Sequence, residues 1–294
     1  MNYCLINQFY PPDLAPTGVK LAAVADALAE RGHGVTVVCS RQHYAEAVRE
    51  TPVYRPPQDV RIMRLSAGHS ARGRLRWRAF EHAGFAWGCF WKLLRVRPRP
   101  DLVVVMSSPP FVGVVVSLAC GLRRLPVVQW VMDAYPEAMV VAGILPRNGL
   151  MEKLLAKMMR RSLCAARATV TVGPEVACTL AAMTGGHAEE LTNASLNSGK
   201  ANDSRNVYWL SLWADEAVQP DPPAAAIQEV RRKRQWRDGE LILMYSGNLG
   251  RGHVIHDFLE AIKPPAVGRT IRWVFVGEGA RGHEVTRFRA EHPD

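Results

Sequence analysis

The sequence predicts an α/β fold in which parallel strands and helices alternate to form a doubly wound sheet. Short runs rich in β-branched residues recur through the first half of the chain, each bounded by turn residues. Apolar residues at helical spacing lie between most of these runs, as expected when helices cross over between parallel strands. Candidate strands are 3–9, 35–39, 60–65, 102–106, 127–132 and 168–172.

Two domains of unequal size are predicted. The chain has 294 residues, enough for one large domain or two ordinary ones. The first domain covers 1–206 and ends in a polar segment rich in Gly, Ser and Asn, 184–206, which we predict to be a flexible loop. A linker and a partial second domain cover 207–294, with strands only at 241–246 and 271–276. A doubly wound domain normally needs ~100 residues or more, so we expect this second domain to be incomplete.

Composition predicts a folded protein with an anionic partner. Hydrophobic residues make up 48% of the chain, and the formal net charge is +10 at pH 7. Such a charge favours nucleic acid, an anionic membrane surface or phosphorylated ligands. The six cysteines form no C-x-x-C pair, and the N-terminus lacks the pattern of a signal peptide. We therefore predict a reducing, cytoplasmic compartment.

An uncharged segment, 102–122, has the length of a membrane-spanning helix. Pro109 and Pro110 interrupt its middle, and proline disfavours a continuous helix there. We interpret the segment as a buried strand, a turn and a buried helix. A membrane span is the alternative.

A strand, a glycine-rich turn and a helix follow one another over 241–262. This order commonly places a phosphate at the helix N-terminus. Gly247 and Gly250 let the backbone approach a ligand, and Arg251 offers a guanidinium fork suited to phosphate. The G-x-x-G-x-G spacing differs from the dinucleotide fingerprint, and the following strand runs into 277–279, Gly-Glu-Gly, without an acidic ribose ligand.

Loops after other predicted strands offer further candidates. Thr17 and Gly18 could present backbone N–H groups to an anion, although an ordinary proline-rich loop explains them as well. Asp133 and Glu137 follow the fifth strand, where a carboxylate can bind sugar hydroxyls or accept a proton. A helix N-cap for Asp133 and a solvated charge for Glu137 are the alternatives. No third ligand accompanies His253 and His256, so we predict no metal or other cofactor.

A basic, aromatic helix is predicted within 72–97. Trp and Phe share one helical face and Arg and Lys lie nearly opposite, a pattern typical of the membrane interface. The alternative is a helix that packs this aromatic face on the sheet. No nucleic-acid recognition motif is present, so we predict no nucleic-acid partner. The predicted membrane-binding residues are Trp77, Phe80, Trp87, Trp91, Arg74 and Arg78.

Several of these segments together resemble retaining glycosyltransferases of family 4, which have the GT-B fold of two Rossmann-like domains. The segments that show this resemblance are "YPPDLAPTGVKLAAVADALAERGHGVTVV" at 10–38, "LWADEAVQP" at 212–220, "YSGNLGRGHVIHDFLEAI" at 245–262 and "VFVGEGARGHEV" at 274–285. Two more, "SSPPFVGVVVSLA" and "DAYPEAMVVAGIL", are similar to the branch that acts on lipid-linked precursors of bacterial surface polysaccharides.

The resemblance implies a transferase. It would move a sugar from a nucleotide-sugar to a polyprenyl-diphosphate-linked or other glycan acceptor in cell-surface polysaccharide synthesis, with retention of anomeric configuration. The first domain would bind the acceptor and the second the nucleotide-sugar. The implied partners are the nucleotide-sugar donor, a lipid-linked glycan acceptor and an anionic membrane surface. The implied location is peripheral, on the inner face of the cytoplasmic membrane.

The resemblance also implies roles for single residues. Asp133 would be catalytic, near the acceptor or the transferred sugar. Gly18 would lie near the donor phosphates, Arg251 would face the diphosphate, and Glu278 would lie near the nucleotide base. The complete predicted donor-binding set is Gly18, Gly247, Asn248, Gly250, Arg251, Glu278 and Gly279.

One departure from the family leaves alternatives open. The family's paired glutamates, which hold the donor, do not occur before Asp294. We therefore expect a chain truncated in its donor domain. The main alternative is a truncated, non-catalytic remnant that binds only membrane or acceptor. Another Rossmann-type enzyme, such as an epimerase or oxidoreductase, is disfavoured by the missing fingerprint.

Overall fold

The computed structural model describes residues 1–13, 15–41, 54–66, 75–192, 205–213, 222–250, 252–262 and 270–292, with only the backbone of 75–78. These residues form two compact units, Met1–Leu212 and Trp213–Asp294.

An eight-stranded parallel sheet is the centre of the first unit. Its strands are β1 (Asn2–Ile6), β2 (Gly34–Ser40), β3 (Val60–Leu65), β4 (Leu102–Met106), β5 (Val127–Val131), β6 (Ala168–Thr171), β7 (Ala188–Glu190) and β8 (Val207–Trp209). Their order across the sheet is β3-β2-β1-β4-β5-β6-β8-β7. The order reverses between β1 and β4, which makes this pair the topological switch point.

Helices cover both faces of this sheet. They are α1 (Pro16–Glu30), α2 (Leu75–Arg95), α3 (Val112–Arg123), α4 (Glu137–Val141), α5 (Leu150–Ala165) and α6 (Pro174–Thr184). Cys4 and Ile6 of β1 are buried in one core with α2 and α3, whereas Leu5 is buried in another with α1. Successive strand residues point to opposite faces, so both faces of β1 are apolar. The predicted doubly wound parallel sheet is confirmed.

The predicted strands of the first half are present with shifts of a few residues at their ends. The uncharged segment folds as β4 followed by α3, as interpreted from its prolines. No helix among the described residues has the length and apolar character needed to cross a bilayer. Within the predicted 184–206 loop, residues 188–190 form β7, which pairs in parallel with β8. Residues 193–204 of that loop lie outside the described part of the chain.

The second unit contains a two-stranded parallel sheet. Its elements are α7 (Ala224–Lys233), β9 (Leu241–Ser246), α8 (Ile255–Ile262), β10 (Ile271–Val276) and α9 (Gly282–Glu291). Leu249, Ile255 and Leu259 form its small buried core, against which Phe275 and Phe288 pack. Both predicted strands are confirmed among the described residues, and both end at a glycine loop.

Candidate functional site

The loops at the switch point are joined by hydrogen bonds at the carboxyl ends of β1 and β4. The backbone N–H of Gln8 donates to the Ser108 carbonyl at 2.9 Å. Asn7 is fully buried, and its Nδ2 donates to the Phe9 carbonyl at 2.8 Å and to Thr17 Oγ1 at 3.2 Å. The Asn7 Oδ1 atom is buried and has no hydrogen-bond partner in the described part of the chain. Because buried polar atoms are normally paired, this oxygen is a candidate ligand contact that the sequence did not single out.

Gly18 lies in the first turn of α1, directly against the loop after β1. A Cβ atom at Gly18 would lie 3.0 Å from the Phe9 carbonyl carbon, so only glycine permits this close approach without movement. The Gly18 N–H donates to the Ala15 carbonyl at 2.8 Å. The structure thus gives Gly18 a packing role, and its place near a donor phosphate stays a prediction.

Asp133 follows β5 at the same edge of the sheet. Its carboxylate accepts no hydrogen bond from the described residues, and α4 begins after Pro136 without a side-chain cap. The N-cap interpretation of Asp133 is therefore wrong. Although the residue is exposed, surrounding protein raises the pKa of its carboxyl above the usual value. Burial, and then the Asp133 charge, raise the pKa of Tyr135 to about 12.

Glu137 is the first residue of α4, four positions after Asp133. Its Oε2 atom is buried and has no hydrogen-bond partner among the described residues. A carboxylate oxygen in that state is not a solvated charge, so the alternative interpretation of Glu137 is also wrong. Asp133 and Glu137 thus place two carboxylates beside the carboxyl end of β5, neither of which accepts a hydrogen bond from another described residue. A hydroxyl-rich ligand could donate to them there.

In the second unit, two glycine loops lie backbone against backbone beyond β9 and β10. The Gly247 amide donates to the Val276 carbonyl at 2.9 Å, and the Leu249 amide donates to the Glu278 carbonyl at 2.9 Å. A Cβ at Gly279 would lie 2.6 Å from Asn248 Oδ1. The structure therefore brings Gly247, Asn248, Gly250, Glu278 and Gly279 together, and their role in donor binding stays a prediction.

Side chains around these loops show contacts that the sequence did not reveal. The Tyr245 hydroxyl lies 2.5 Å from His253 Nδ1 and donates to the Asn248 carbonyl at 3.0 Å. Arg281 donates to the His253 carbonyl and pairs with Glu284 at 2.9 Å. Arg251, the predicted diphosphate ligand, lies outside the described residues. The described residues contain no group of three or more His, Cys, Asp or Glu side chains that could hold a metal ion.

Helix α2 exposes the aromatic face that was predicted to bind a membrane. The exposed fractions of Phe80, Trp87 and Trp91 are 69%, 58% and 40%. A different face, including Phe85 and Leu93, is buried in the core. The alternative that the predicted face packs on the sheet is therefore wrong. Arg74 and the side chains of Trp77 and Arg78 lie outside the described part of the chain.

A family model described as a Glycosyl transferase 4-like domain matches residues 17–193, a range that includes all of α1 except Pro16 and also includes Asp133. The chain belongs to this glycosyltransferase family.

Two curated bacterial proteins are similar to the chain. One, from Pseudomonas aeruginosa, is named "Probable glycosyltransferase WbjE"; it is 23% identical over 98% of this chain and 65% of its own length. The other, from Escherichia coli (strain K12), is named "Putative colanic acid biosynthesis glycosyl transferase WcaI"; it is 22% identical over 86% of this chain and 60% of its own length. The chain thus spans less than two thirds of either relative.

Two solved structures show the same fold. Sucrose-phosphate synthase from Thermosynechococcus elongatus superposes with a TM-score of 0.64 at 12% identity, over 100% of this chain and 68% of that one. HepE of Anabaena, solved in complex with UDP, superposes with a TM-score of 0.58 at 12% identity, over 99% of this chain and 66% of that one. The predicted GT-B type of α/β fold is confirmed.

Proposed function

We propose that the protein transfers a sugar from a nucleotide-sugar to a polyprenyl-diphosphate-linked glycan acceptor in cell-surface polysaccharide synthesis. Anomeric configuration is retained, and the first unit binds the acceptor while the second binds the donor. The family and the relatives named for glycosyl transfer support the general reaction. HepE, which was solved with UDP, supports a nucleotide-sugar donor by analogy.

The observation that carries the proposal is the contact between the two glycine loops of the second unit. Backbone groups of Gly247 and Leu249 bond to the strand and loop of β10, so both loops are held together at the carboxyl edge of the sheet. Ligands of parallel α/β sheets bind at this edge, and α8 begins just beyond it. We assign the donor diphosphate to these loops, with Arg251 and the N-terminus of α8 stabilising the charge of the leaving group.

Asp133 is assigned to the acceptor or transferred sugar. Its carboxylate accepts no hydrogen bond from the described residues, so a ligand could bind it without breaking one. Surrounding protein also raises the pKa of this carboxyl. A pKa closer to neutrality suits a group that exchanges a proton with a hydroxyl during the reaction. Glu137, whose buried Oε2 has no hydrogen-bond partner among the residues that the structure describes, is assigned to binding of an acceptor hydroxyl.

Peripheral attachment to the inner face of the cytoplasmic membrane is part of the proposal. The exposed Phe80, Trp87 and Trp91 of α2 support it, because aromatic rings on a basic helix bind the interfacial region of bilayers. An acceptor with a polyprenyl tail stays in the membrane, so an enzyme attached there meets it directly. We also propose that the reaction needs no metal ion, which predicts full activity in the presence of EDTA.

A transfer assay with product analysis tests the function. The protein is incubated with a panel of UDP- and GDP-sugars and a polyprenyl-diphosphate-linked sugar, and the anomeric configuration of the product is read by NMR. We expect transfer from one donor with retention. An inverted product would contradict the retaining mechanism, and donor binding without transfer would favour the non-catalytic remnant. Absence of donor binding at millimolar concentration would contradict the assignment of the second unit.

A further inference from the structure

A basic groove lies on the first unit, between β3 at the edge of the sheet and the C-terminal half of α2. Its volume is about 440 Å³. Met63 and Leu65, alternate residues of β3 that face α2, contribute apolar surface, and Trp91 lies beside them. The four cations that line the groove are Arg61, Lys92, Arg95 and Arg97.

These four cations carry positive charge that no described carboxylate neutralises. Arg61 Nη1 donates to the Arg97 carbonyl at 3.3 Å, and the Arg95 guanidinium lies over the Trp91 ring at 4.8 Å. The side chains of Lys92 and Arg97 form no hydrogen bond or ion pair within the described structure. Four like charges around one concave surface repel one another and favour an anionic ligand.

The carbonyls at the C-terminus of α2 are bonded by a cation from outside the groove. Lys92 and Arg95 lie in the last turn of α2, where basic residues favourably face the negative end of the helix dipole. The direct hydrogen bonds at this end, however, come from Arg123 of α3, whose Nη1 donates to the Leu93 carbonyl at 2.5 Å and to the Val96 carbonyl at 3.4 Å. Within the described structure the side chains of Lys92 and Arg95 therefore keep their hydrogen-bond donors for a ligand.

The chemistry of the lining matches a phosphate attached to a hydrocarbon chain. Guanidinium and ammonium groups bind phosphate oxygens, whereas Met63 and Leu65 offer apolar contact to a chain. Trp87 stacks on Phe90 at 5.3 Å one turn before Trp91 and stays exposed, so the groove continues into the exposed aromatic face of α2. Nucleic acid also carries phosphates that these cations could bind, but it has no hydrocarbon chain to contact Met63 and Leu65.

We propose that this groove binds the phosphate headgroup of an anionic bilayer lipid, with the acyl chain along Met63, Leu65 and Trp91. The inference rests on the membrane attachment included in the proposed function, and it identifies the lipid class and the residues that select it. Attachment would then depend on headgroup charge as well as on the aromatic face.

Vesicle binding tests the groove directly. The protein is sedimented with vesicles of phosphatidylcholine, with and without phosphatidylglycerol. Lys92→Gln with Arg97→Gln should weaken binding to the anionic vesicles about 25-fold, since each surface cation contributes on the order of 1 kcal/mol. The matched control, Arg234→Gln with Arg289→Gln, removes two exposed charges from the second unit and should change binding less than about threefold. Lys92→Arg with Arg97→Lys should retain wild-type affinity.

A second measurement separates the lipid from other phosphates. The indole N–H signal of Trp91 is followed by NMR during titration with monomeric short-chain phosphatidylglycerol, inorganic phosphate or a short oligonucleotide. We expect the lipid alone to shift the signal at micromolar concentration. An equal response to inorganic phosphate or to the oligonucleotide would overturn the lipid assignment, as would unchanged vesicle binding by the Lys92–Arg97 variant. Donor titration of that variant should match wild type, so failure of the groove is distinguishable from failure of the transferase assignment.

Discussion

Gly277 lies so close to Gly247 that a Cβ atom at Gly277 would be 1.9 Å from the Gly247 carbonyl oxygen. Gly277 also has φ of +141°, a backbone conformation that other residues rarely adopt. The contact holds together the two loops to which we assign the donor diphosphate. Any side chain at Gly277 must separate them.

Gly277→Ala should therefore destabilise the second unit and abolish donor binding. Strain from the positive φ alone costs on the order of 1–3 kcal/mol, and the clash with Gly247 adds to it. Chemical denaturation and calorimetric titration with nucleotide-sugars measure the two effects. Gly252→Ala is the matched control and should keep wild-type stability, because a Cβ there meets no described atom within 4 Å. Wild-type donor affinity in Gly277→Ala would refute the assignment of these loops.

Asp133→Asn should reduce turnover without reducing stability. Loss of a proton-transfer group typically costs on the order of 10²–10⁴-fold in rate. The Asp133 carboxylate accepts no hydrogen bond from the described residues, so we expect the free energy of unfolding to change by less than about 0.5 kcal/mol.

The pH profile provides a further test of Asp133. Because its pKa is raised, wild-type activity should fall as pH decreases through a value above the usual range for Asp, and Asp133→Asn should lack this limb. Asp59→Asn, an exposed carboxylate next to the amino end of β3, is the control and should behave as wild type. A loss of stability with unchanged activity would identify Asp133 as structural.

The Glu240–Arg272 ion pair should make the stability of the second unit pH-dependent. Glu240 is 7% exposed and accepts from Arg272 Nε and Nη2, both at 2.9 Å. Hydrogen bonding to Arg272 lowers the pKa of Glu240 to about 2 from 4.5. A lowered pKa means that the stabilisation is complete above about pH 4.5 and is lost as pH falls towards 2.

Thermal unfolding of wild type and Glu240→Gln from neutral pH down to pH 2 measures this linkage. The difference in Tm should be constant above about pH 4.5 and shrink below it. A difference that is independent of pH would show that the charge of Glu240 contributes nothing.

Trp87→Ser with Trp91→Ser should weaken attachment to anionic vesicles while leaving the fold intact. Both indoles are exposed, so their removal opens no cavity in the core. Raising salt should weaken wild-type binding too, because surface attraction is screened within a Debye length of about 8 Å at physiological ionic strength. Ile227→Ser with Val230→Ser, two exposed apolar residues of α7, is the control. Sedimentation unaffected by the tryptophan changes would remove α2 from the membrane contact.

The sequence alone predicted the doubly wound sheet. Continuous β-branched runs such as 102–106 are typical of parallel strands that are buried on both faces. It also predicted the glycine loops at 247–250 and 277–279, since glycine is required where two backbones touch. These features depend on local periodicity and backbone sterics, which neighbouring residues encode. The family resemblance followed from the same segments.

Only the tertiary structure decided features that depend on distant partners. Helix α2 carries aromatic residues on more than one face, so periodicity could not determine whether Trp87 or Phe85 faces the sheet. In the folded chain Phe85 is buried in a core shared with residues of β4 and α3, whereas Trp87 is exposed. The Ala188–Glu190 strand has a polar sequence and exists because β8 offers it a hydrogen-bonding edge. Asn7 Oδ1 and Glu137 Oε2 are buried and lack hydrogen-bond partners among the described residues. The sequence could not predict this, because the presence of a partner depends on residues that are distant along the chain.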